Sequence, residues 1–319
     1  MLVNQNPRTG LAASSGVALR AAAALASLCL VFGAGSALAE DGEEEGAEQA
    51  SAEEYFRLGN ENFNAKLVDK SVAAYERCVE LKPDYKEAWY NLGIAYAKQQ
   101  RYKKEIEAYQ KAVGIDPRYE KALYNLAIAY EDASMIAEAL KTYERVEQVS
   151  PDAVDALVNL GILRAKQGQL DAAVSSYKKA IERDSSLPDA WFNLGIAYAR
   201  KAEREVEPIK KQTLLALERD AYKKAVEAAP KYHKGWYNLA IAHNKLGELA
   251  EEIVAYEQAL EVRPKYPQAL FNLAYAYEEL KEPVKAISAW NRYVETAAAL
   301  PTEQEYVGIA REELKRLQQ

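Results

Sequence analysis

The sequence predicts an all-α solenoid, an elongated array of helical hairpins of equal length. Characteristic residues recur at an interval of 34 positions, as shown by the prolines Pro83, Pro117 and Pro151 and by the tyrosines Tyr75, Tyr109, Tyr143 and Tyr177. Within one interval, the stretch 89–117 has apolar residues at helical spacing, a polar break, a second apolar helical face and a final proline. A hairpin of this kind can bury its apolar face only against its neighbours, so the fixed period indicates one continuous array.

Seven repeats fit this period, and they share the residue types at their packing positions. Their predicted ranges are 52–85, 86–119, 120–153, 154–187, 188–232, 233–266 and 267–300. A large residue stands at the position of Trp89, glycine or alanine at that of Gly93, and an aromatic residue at that of Tyr109. This pattern resembles the tetratricopeptide repeat family, in an exported bacterial form. The resemblance implies a right-handed superhelix in which the small residue lets two helices approach and the aromatic residue fills the seam between them.

The fifth repeat is longer than the others. Tyr96 and Tyr109 are 13 positions apart, whereas Tyr198 and Tyr222 are 24 apart, so 11 residues are inserted. Eleven residues make about three helical turns, and Pro208 suits the first turn of a helix. We therefore expect both helices of this hairpin to be longer, with a turn near Glu207 and Pro208. The insertion is either neutral or a bracket for a specific partner.

The N-terminal 51 residues are predicted to precede the array. Residues 1–39 have a basic start, an apolar run from Ala21 to Val31 and small residues before Glu40, which is typical of a signal peptide cleaved after Ala39. The alternatives are a retained membrane anchor and a plastid transit peptide. Residues 40–51 form an acidic leader without bulky apolar side chains, which predicts disorder. We expect an exported protein, periplasmic or secreted, with no stable membrane span after cleavage.

The C-terminal residues 301–319 no longer follow the period and predict a capping helix. Thr302 and Glu305 have the spacing of a capping box. One apolar face opposes a charged one and consists of Tyr306, Ala310, Leu314 and Leu317. Such a helix covers the last apolar surface of a solenoid, which would otherwise stay open to aggregation.

Composition and motifs argue against catalysis and cofactor binding. The formal charge of -7 disfavours nucleic acid as a partner. His233 and His243, the two histidines, are ten residues apart without a ligand motif, so neither a metal site nor another cofactor is predicted. Cys78 occupies a small-residue packing position and is interpreted as a buried hydrophobic residue. The expected function is therefore non-enzymatic, and the oligomeric state is left open.

The resemblance implies that the first helix of each repeat lines a concave groove. The groove positions are those of Tyr90, Asn91 and Ile94. The aromatic set is Phe56, Tyr90, Tyr124, Phe192, Tyr237 and Phe271; the amide set is Asn91, Asn125, Asn159, Asn193, Asn238 and Asn272; the third set is Ile94, Ile128, Ile162, Ile196, Ile241 and Tyr275. Amides can donate and accept hydrogen bonds with the backbone of an extended peptide. The asparagines resemble the asparagine ladder in the repeat domain of O-linked N-acetylglucosamine transferases, although this sequence shows no counterpart of the catalytic part of that family.

Two alternatives remain for these groove positions. Asparagine is either a ligand contact or simply the residue that the family most often has there. Likewise, the apolar strip either meets a ligand along its whole length or packs in part between adjacent helices. The first repeats also resemble the carboxylate clamp of the same superfamily, with Asn60, Asn91 and Lys121 at three clamp positions. Phe56 and Asn125 replace the two other basic residues, which removes charge that would hold a carboxylate.

The predicted function is an exported protein-interaction scaffold. Apolar, aromatic and amide side chains in one groove suit an extended peptide or an amphipathic helix with apolar side chains. The alternative is a regulatory or targeting subunit of an envelope enzyme complex that docks through the extended fifth repeat.

Overall fold

A computed structural model describes residues 50–319, which form seven helical hairpins and a final helix. The hairpins are α1 (Ala52–Asn64) with α2 (Val68–Leu81), α3 (Lys86–Lys98) with α4 (Tyr102–Ile115), α5 (Glu120–Asp132) with α6 (Ile136–Val149), α7 (Val154–Lys166) with α8 (Leu170–Arg183), α9 (Pro188–Arg204) with α10 (Pro208–Ala228), α11 (His233–Leu246) with α12 (Leu249–Val262), and α13 (Pro267–Glu279) with α14 (Pro283–Ala297); α15 (Gln304–Leu317) follows. The fold is an all-α solenoid of seven hairpins with a C-terminal capping helix, as the sequence predicts.

The hairpins are held together where a second-helix aromatic ring meets a small first-helix residue. A Cβ atom on Gly93 would lie 2.5 Å from Cε1 of Tyr109, and one on Gly195 would lie 2.6 Å from Cε1 of Tyr222. The ring therefore occupies the space that a side chain would need. Tyr109 is 2% exposed, and the equivalent Trp290 is fully buried. The prediction that this aromatic residue fills the seam is confirmed.

The 11 inserted residues of the fifth repeat are divided between its two helices. α9 has 17 residues and α10 has 21, whereas α3 has 13 and α4 has 14. The turn follows Arg204, and α10 begins at Pro208. Oε1 of Glu205 accepts hydrogen bonds from the backbone N–H groups of Val206 and Glu207, both at 3.0 Å, which fixes the turn. The hairpin ends in two exposed apolar side chains, Val206 at 93% and Ile209 at 77% exposure.

The capping helix closes the C-terminal end of the core. Val307 and Ala310 are buried, and Tyr306, Leu314 and Leu317 pack half-buried against the same cluster. The predicted capping box of Thr302 and Glu305 is wrong, because a 3-10 helix over Pro301–Glu303 places Thr302 inside a turn, before the helix begins. Gln304 instead donates its side-chain amide to the backbone carbonyls of Ala298 (2.9 Å) and Leu300 (3.0 Å).

The N-terminal end has the capping box that the sequence interpretation missed. Ser51 is the N-cap of α1; its hydroxyl accepts from the backbone of Glu54, whose carboxylate accepts from the backbone of Ser51. The predicted signal peptide, 1–39, and residues 40–49 of the predicted leader lie outside the described residues. From residue 50 onward, none of the helices is both long enough and apolar enough to span a membrane.

Candidate functional site

The candidate site is the face that the first helices present at the positions of Tyr90, Asn91 and Ile94, called here the first-helix face. Four isoleucines lie half-buried on it, one each on α3, α5, α7 and α9: Ile94, Ile128, Ile162 and Ile196. Each lies three residues after an asparagine of the amide set, called here the ladder asparagines, which places both on the same side of the helix. Tyr90 and Tyr124 are half-buried beside them, and Lys121 is exposed. Repeats two to five therefore keep part of this apolar strip open.

In the first, second, fifth and sixth repeats, the aromatic residue of this face is held by two other rings of its own repeat. The Tyr90 ring centroid lies 6.0 Å from that of Tyr109 on α4 and 5.3 Å from that of Tyr119 in the following loop. The same arrangement surrounds Phe56, Phe192 and Tyr237. Its ring pairs are Phe56 with Tyr75 and Tyr85, Phe192 with Tyr222 and Tyr232, and Tyr237 with Tyr256 and Tyr266. The loop tyrosines of this arrangement are residues that the sequence interpretation did not assign to the face.

The ladder asparagines form hydrogen bonds between neighbouring repeats. Nδ2 of Asn125 donates to the Tyr90 hydroxyl at 3.1 Å, and Nδ2 of Asn159 donates to the Tyr124 hydroxyl at 3.3 Å. The acceptor is in each case the face tyrosine of the preceding repeat. Burial raises the pKa of Tyr90, although the hydrogen bond from Asn125 opposes this effect. These amide groups thus have a structural role in joining consecutive first helices.

Where the preceding repeat offers no tyrosine, the asparagine is bonded differently. Asn91 follows the Phe56 repeat and donates to Oδ1 of Asn60 at 2.9 Å. Asn238 follows the Phe192 repeat and donates to the carbonyl of Lys234 in its own helix at 2.8 Å. Asn193 follows the repeat with Val158, and within residues 50–319 its side chain makes no hydrogen bond. The partner of each asparagine therefore depends on the residue at the aromatic position one repeat earlier.

The C-terminal part of the predicted groove is closed, which corrects the expectation for five residues. Their exposures are 4% for Phe192, 3% for Tyr237, 7% for Ile241, 4% for Phe271 and 1% for Asn272. These side chains pack inside the array and do not form an open surface.

The last repeat shows how this part of the face is covered. Phe271 contacts Trp290 and Tyr293 of α14 and Tyr306 of the capping helix, with ring centroids 5.0, 5.1 and 5.6 Å away. Asn272 donates to the hydroxyls of Tyr256 (3.1 Å) and Tyr237 (3.4 Å). The alternative that part of the strip packs between helices is thus realised in repeats six and seven, where only Asn238 and Tyr275 stay half-buried.

The clamp-like residues of the first repeats are engaged with one another. Oδ1 of Asn60 accepts from the Tyr75 hydroxyl at 2.6 Å as well as from Asn91. Phe56 packs half-buried on Tyr75 and Tyr85. The contacts of Asn60 join the first two repeats, and Lys121 is the one exposed positive charge at the clamp positions of the described residues.

The histidines and the cysteine are packed as structural residues. Nδ1 of His243 lies 2.6 Å from Oε2 of Glu248, which also accepts from Arg219 at 2.7 Å through its other oxygen. Burial lowers the pKa of His233, with a further contribution from Arg263. Cys78 is fully buried, as predicted, and burial raises its pKa to about 11. The described residues contain no cluster of three or more His, Cys, Asp or Glu side chains arranged for a metal ion.

The geometry defines an α-solenoid repeat protein, and comparisons with known proteins agree. Models described as TPR repeat or tetratricopeptide repeat match residues 56–120, 121–153, 163–201, 221–253, 242–281 and 268–297. The chain belongs to the tetratricopeptide repeat superfamily. A curated relative, the tetratricopeptide repeat domain-containing protein PYG7, chloroplastic, from Arabidopsis thaliana, is 39% identical over 56 residues. That match spans 18% of this chain and 19% of the relative's length.

Solved structures share the fold at low sequence identity. The C-terminal part of a TPR repeat-containing protein from Cytophaga hutchinsonii has a TM-score of 0.64 at 15% identity, covering 81% of this chain and 99% of that one. YrrB, described as a TPR protein with an unusual peptide-binding site, has a TM-score of 0.52 at 18% identity, covering 62% and 96%. PilF of Pseudomonas aeruginosa has a TM-score of 0.52 at 17% identity, covering 70% and 97%.

Proposed function

We propose that the protein is a non-enzymatic interaction scaffold that binds a protein segment on the first-helix face of repeats two to five. The observation that carries this proposal is the row of half-buried isoleucines on α3, α5, α7 and α9, next to the half-buried rings of Tyr90 and Tyr124. Apolar side chains repeated at one position of consecutive repeats suit a ligand that extends along the array. The description of YrrB, a protein of the same fold, names a peptide-binding site.

The ligand of this proposal is an extended peptide or an amphipathic helix with apolar side chains. Hydrogen bonds between repeats already use one N–H group of most ladder asparagines, so contacts to the isoleucines contribute most of the binding free energy. Burying one large aliphatic side chain of the ligand is favourable by about 1.5–3 kcal/mol. Several such contacts give the face a useful affinity before any polar contact is counted.

Export is a further part of the proposal and rests on residues 1–39. The periplasm is the preferred compartment, with secretion, a retained signal anchor and organelle targeting as alternatives; the word chloroplastic in the relative's name supports the last of these. Expression of the full chain in a Gram-negative host, followed by fractionation and N-terminal sequencing, tests it. A periplasmic product that starts at Glu40 supports the proposal, and an intact N-terminus in the cytoplasm contradicts it.

A second candidate is docking of an enzyme subunit through the fifth repeat, which the exposed tip favours. Val206 and Ile209 are more exposed than is usual for aliphatic residues and lie together at the end of the extended hairpin. A partner with a matching apolar pocket could bind this tip without contact to the first-helix face. The chain would then act as a targeting or regulatory subunit for chemistry on another chain.

Capture from a native extract separates the two candidates. One variant combines Ile128→Glu with Ile162→Glu on the first-helix face, and the other combines Val206→Ser with Ile209→Ser at the tip. Val254→Glu, at an exposed position of α12, is the control for adding acidic charge elsewhere. Loss of captured protein with the first variant alone supports the first-helix face. Loss with the tip variant alone refutes the face and supports the second candidate.

A further inference from the structure

The fourth repeat lacks the pair of rings that other repeats place at the first-helix face. The first, second, fifth and sixth repeats each combine a face ring with a loop tyrosine. At these two positions the fourth repeat has Val158 and Leu187, both half-buried. Together with Val154 and Ile181 they pack against the buried residues Leu157, Ala180 and Ala190, so this part of the face is aliphatic. Between Tyr124 and Phe192, the row of rings along the array is therefore interrupted.

The same substitution leaves an amide without a partner. Val158 has no hydroxyl, so Asn193 on the next first helix lacks the acceptor that Tyr90 provides for Asn125 and Tyr124 for Asn159. The Asn193 side chain is half-buried and makes no hydrogen bond within the described part of the chain. A polar group that is partly removed from water gains free energy from any ligand that supplies the missing acceptor. We call Val158, Leu187 and Asn193 the fourth-repeat gap.

Negative charge lies beside the fourth-repeat gap. Asp155 and Asp189 stand exposed in the first turns of α7 and α9, and neither forms an ion pair within residues 50–319. The neighbouring repeats have Lys121 and Lys234 at the equivalent position. At the opposite ends of these helices the cations are already engaged, since Lys166 pairs with Glu131 at 3.1 Å and Arg200 donates to the Ala165 carbonyl at 3.3 Å.

We propose that the segment bound at the fourth-repeat gap carries an aromatic side chain next to a lysine or arginine. This inference rests on the proposed function and adds the chemistry of the partner. The aromatic ring packs on Val158 and Leu187 and completes the interrupted row. A main-chain carbonyl of the segment accepts a hydrogen bond from Nδ2 of Asn193. The basic side chain lies near the free carboxylates of Asp155 and Asp189, which attract it and disfavour an acidic one.

A synthetic peptide provides the probe for this inference. It is a fluorescently labelled nonapeptide with blocked ends, Gly-Ser-Ile-Lys-Phe-Ile-Ser-Gly-Ser, and its binding to the full-length protein is measured by anisotropy. We expect replacement of its Phe by Ala to weaken binding about tenfold or more, because the ring loses its apolar contact. We expect replacement of its Lys by Glu to weaken binding several-fold, with a difference that shrinks at high salt.

The matching protein variant is Val158→Tyr, which fills the fourth-repeat gap and supplies Asn193 with a hydroxyl. Other repeats have tyrosine at this position, so we expect the variant to fold, and circular dichroism with a melting curve checks this. It should bind the Phe and Ala peptides equally weakly. Val254→Tyr adds a ring at an exposed valine of α12, away from the first-helix face, and should leave the tenfold preference unchanged.

Three results would overturn the inference. They are equal binding of the Phe and Ala peptides by the unmodified protein, an unchanged preference in Val158→Tyr, and no binding of the Phe peptide up to millimolar concentration. If extract capture still depends on Ile128 and Ile162, these results refute the partner chemistry alone and the proposed function stands. If capture is also insensitive to those isoleucines, the proposed function fails together with the partner chemistry.

Discussion

The side-chain amide of Asn125 donates a hydrogen bond of 3.1 Å to the Tyr90 hydroxyl, which belongs to the preceding repeat. The two residues lie 35 positions apart, one more than the repeat period. The tyrosine of one repeat is therefore bonded to the residue that stands one position further along in the next repeat. Asn159 and Tyr124 repeat this relationship at 3.3 Å. One asparagine can therefore stabilise the stacking of repeats while its carbonyl oxygen stays available for other contacts.

The first prediction is an energetic coupling between these two residues. Tyr90→Phe removes the acceptor and Asn125→Ala removes the donor, and each should lower the free energy of unfolding by about 0.5–1.5 kcal/mol. Because both changes break the same hydrogen bond, the double variant should lose less than the sum of the single losses. Urea denaturation of the four proteins measures this. Strict additivity would show that the hydrogen bond contributes nothing to stability.

The matched control uses the asparagine without a partner. Asn193 has no hydrogen bond to lose within the described residues, so Asn193→Ala should cost less than Asn125→Ala. A cost as large as that of Asn125→Ala would mean that the asparagine position is stabilising for a reason other than the hydrogen bond to the preceding repeat.

The architecture could be predicted because one period determines all the packing contacts. A glycine or alanine at the Gly93 position and an aromatic residue at the Tyr109 position are sufficient to predict the close helix contact that the structure shows. The extra helical length of the fifth repeat followed from Pro208 and from an insertion that is a whole number of turns. These features depend on neighbours in sequence or on an exact repeat, so they could be read from one chain.

Exposure on the first-helix face could not be predicted in the same way. Phe192 and Tyr237 contact the loop tyrosines Tyr232 and Tyr266 and are buried, whereas Tyr90 contacts its loop tyrosine Tyr119 and stays half-buried. The residue types of one repeat therefore do not determine the exposure of this position. The capping box was mispredicted because Pro301 starts a 3-10 turn before the helix. The pairing of Tyr90 with Asn125 was detectable in principle, since tyrosine followed one repeat and one position later by asparagine recurs in the sequence.

The second prediction concerns the glycine at the helix contact. Gly93→Ala should destabilise the protein by about 1 kcal/mol or more, because the new Cβ atom would meet the buried Tyr109 ring at 2.5 Å. The control is Gly308→Ala on α15, where a Cβ atom has no neighbour within 4 Å. This change should stabilise by about 0.5–1 kcal/mol, because alanine favours the helix. Urea midpoints that shift in the same direction for both variants would contradict the packing argument.

The third prediction concerns the reactivity of Cys78. Its thiol is fully buried and its pKa is raised to about 11 by burial, so almost no thiolate exists at pH 8. We expect iodoacetamide to leave Cys78 unmodified in the native protein and to alkylate it within minutes once the protein is unfolded in about 6 M urea. Mass spectrometry of the peptide that contains Cys78 measures both. Fast alkylation without denaturant would mean that the first repeat opens readily.

The last prediction concerns the buried carboxyl group of Glu218 on α10. The residue is 1% exposed; Oε1 accepts from Lys245 at 2.7 Å, and Oε2 is buried without a hydrogen-bond partner among residues 50–319. Burial raises the pKa of Glu218 above its ordinary value of 4.5, although Lys245 opposes the shift and Glu203 adds to it. The folded protein therefore holds this proton at pH values where the unfolded chain has released it.

The sign of the pH effect follows from proton linkage. Between the unfolded and folded pKa values the folded state binds more protons, so this group lowers the free energy of unfolding as pH rises through that window, by about 1.4 kcal/mol for each pH unit spanned. Glu218→Gln cannot ionise and lacks this loss. The free energy of unfolding of the variant minus that of the unmodified protein should therefore increase from pH 4 to pH 7, measured by urea denaturation. The control is Glu182→Gln, at an exposed position, which removes a carboxylate that is not buried and should not reproduce this increase. Parallel pH curves for Glu218→Gln and the unmodified protein would show that Lys245 fully compensates for the burial of Glu218.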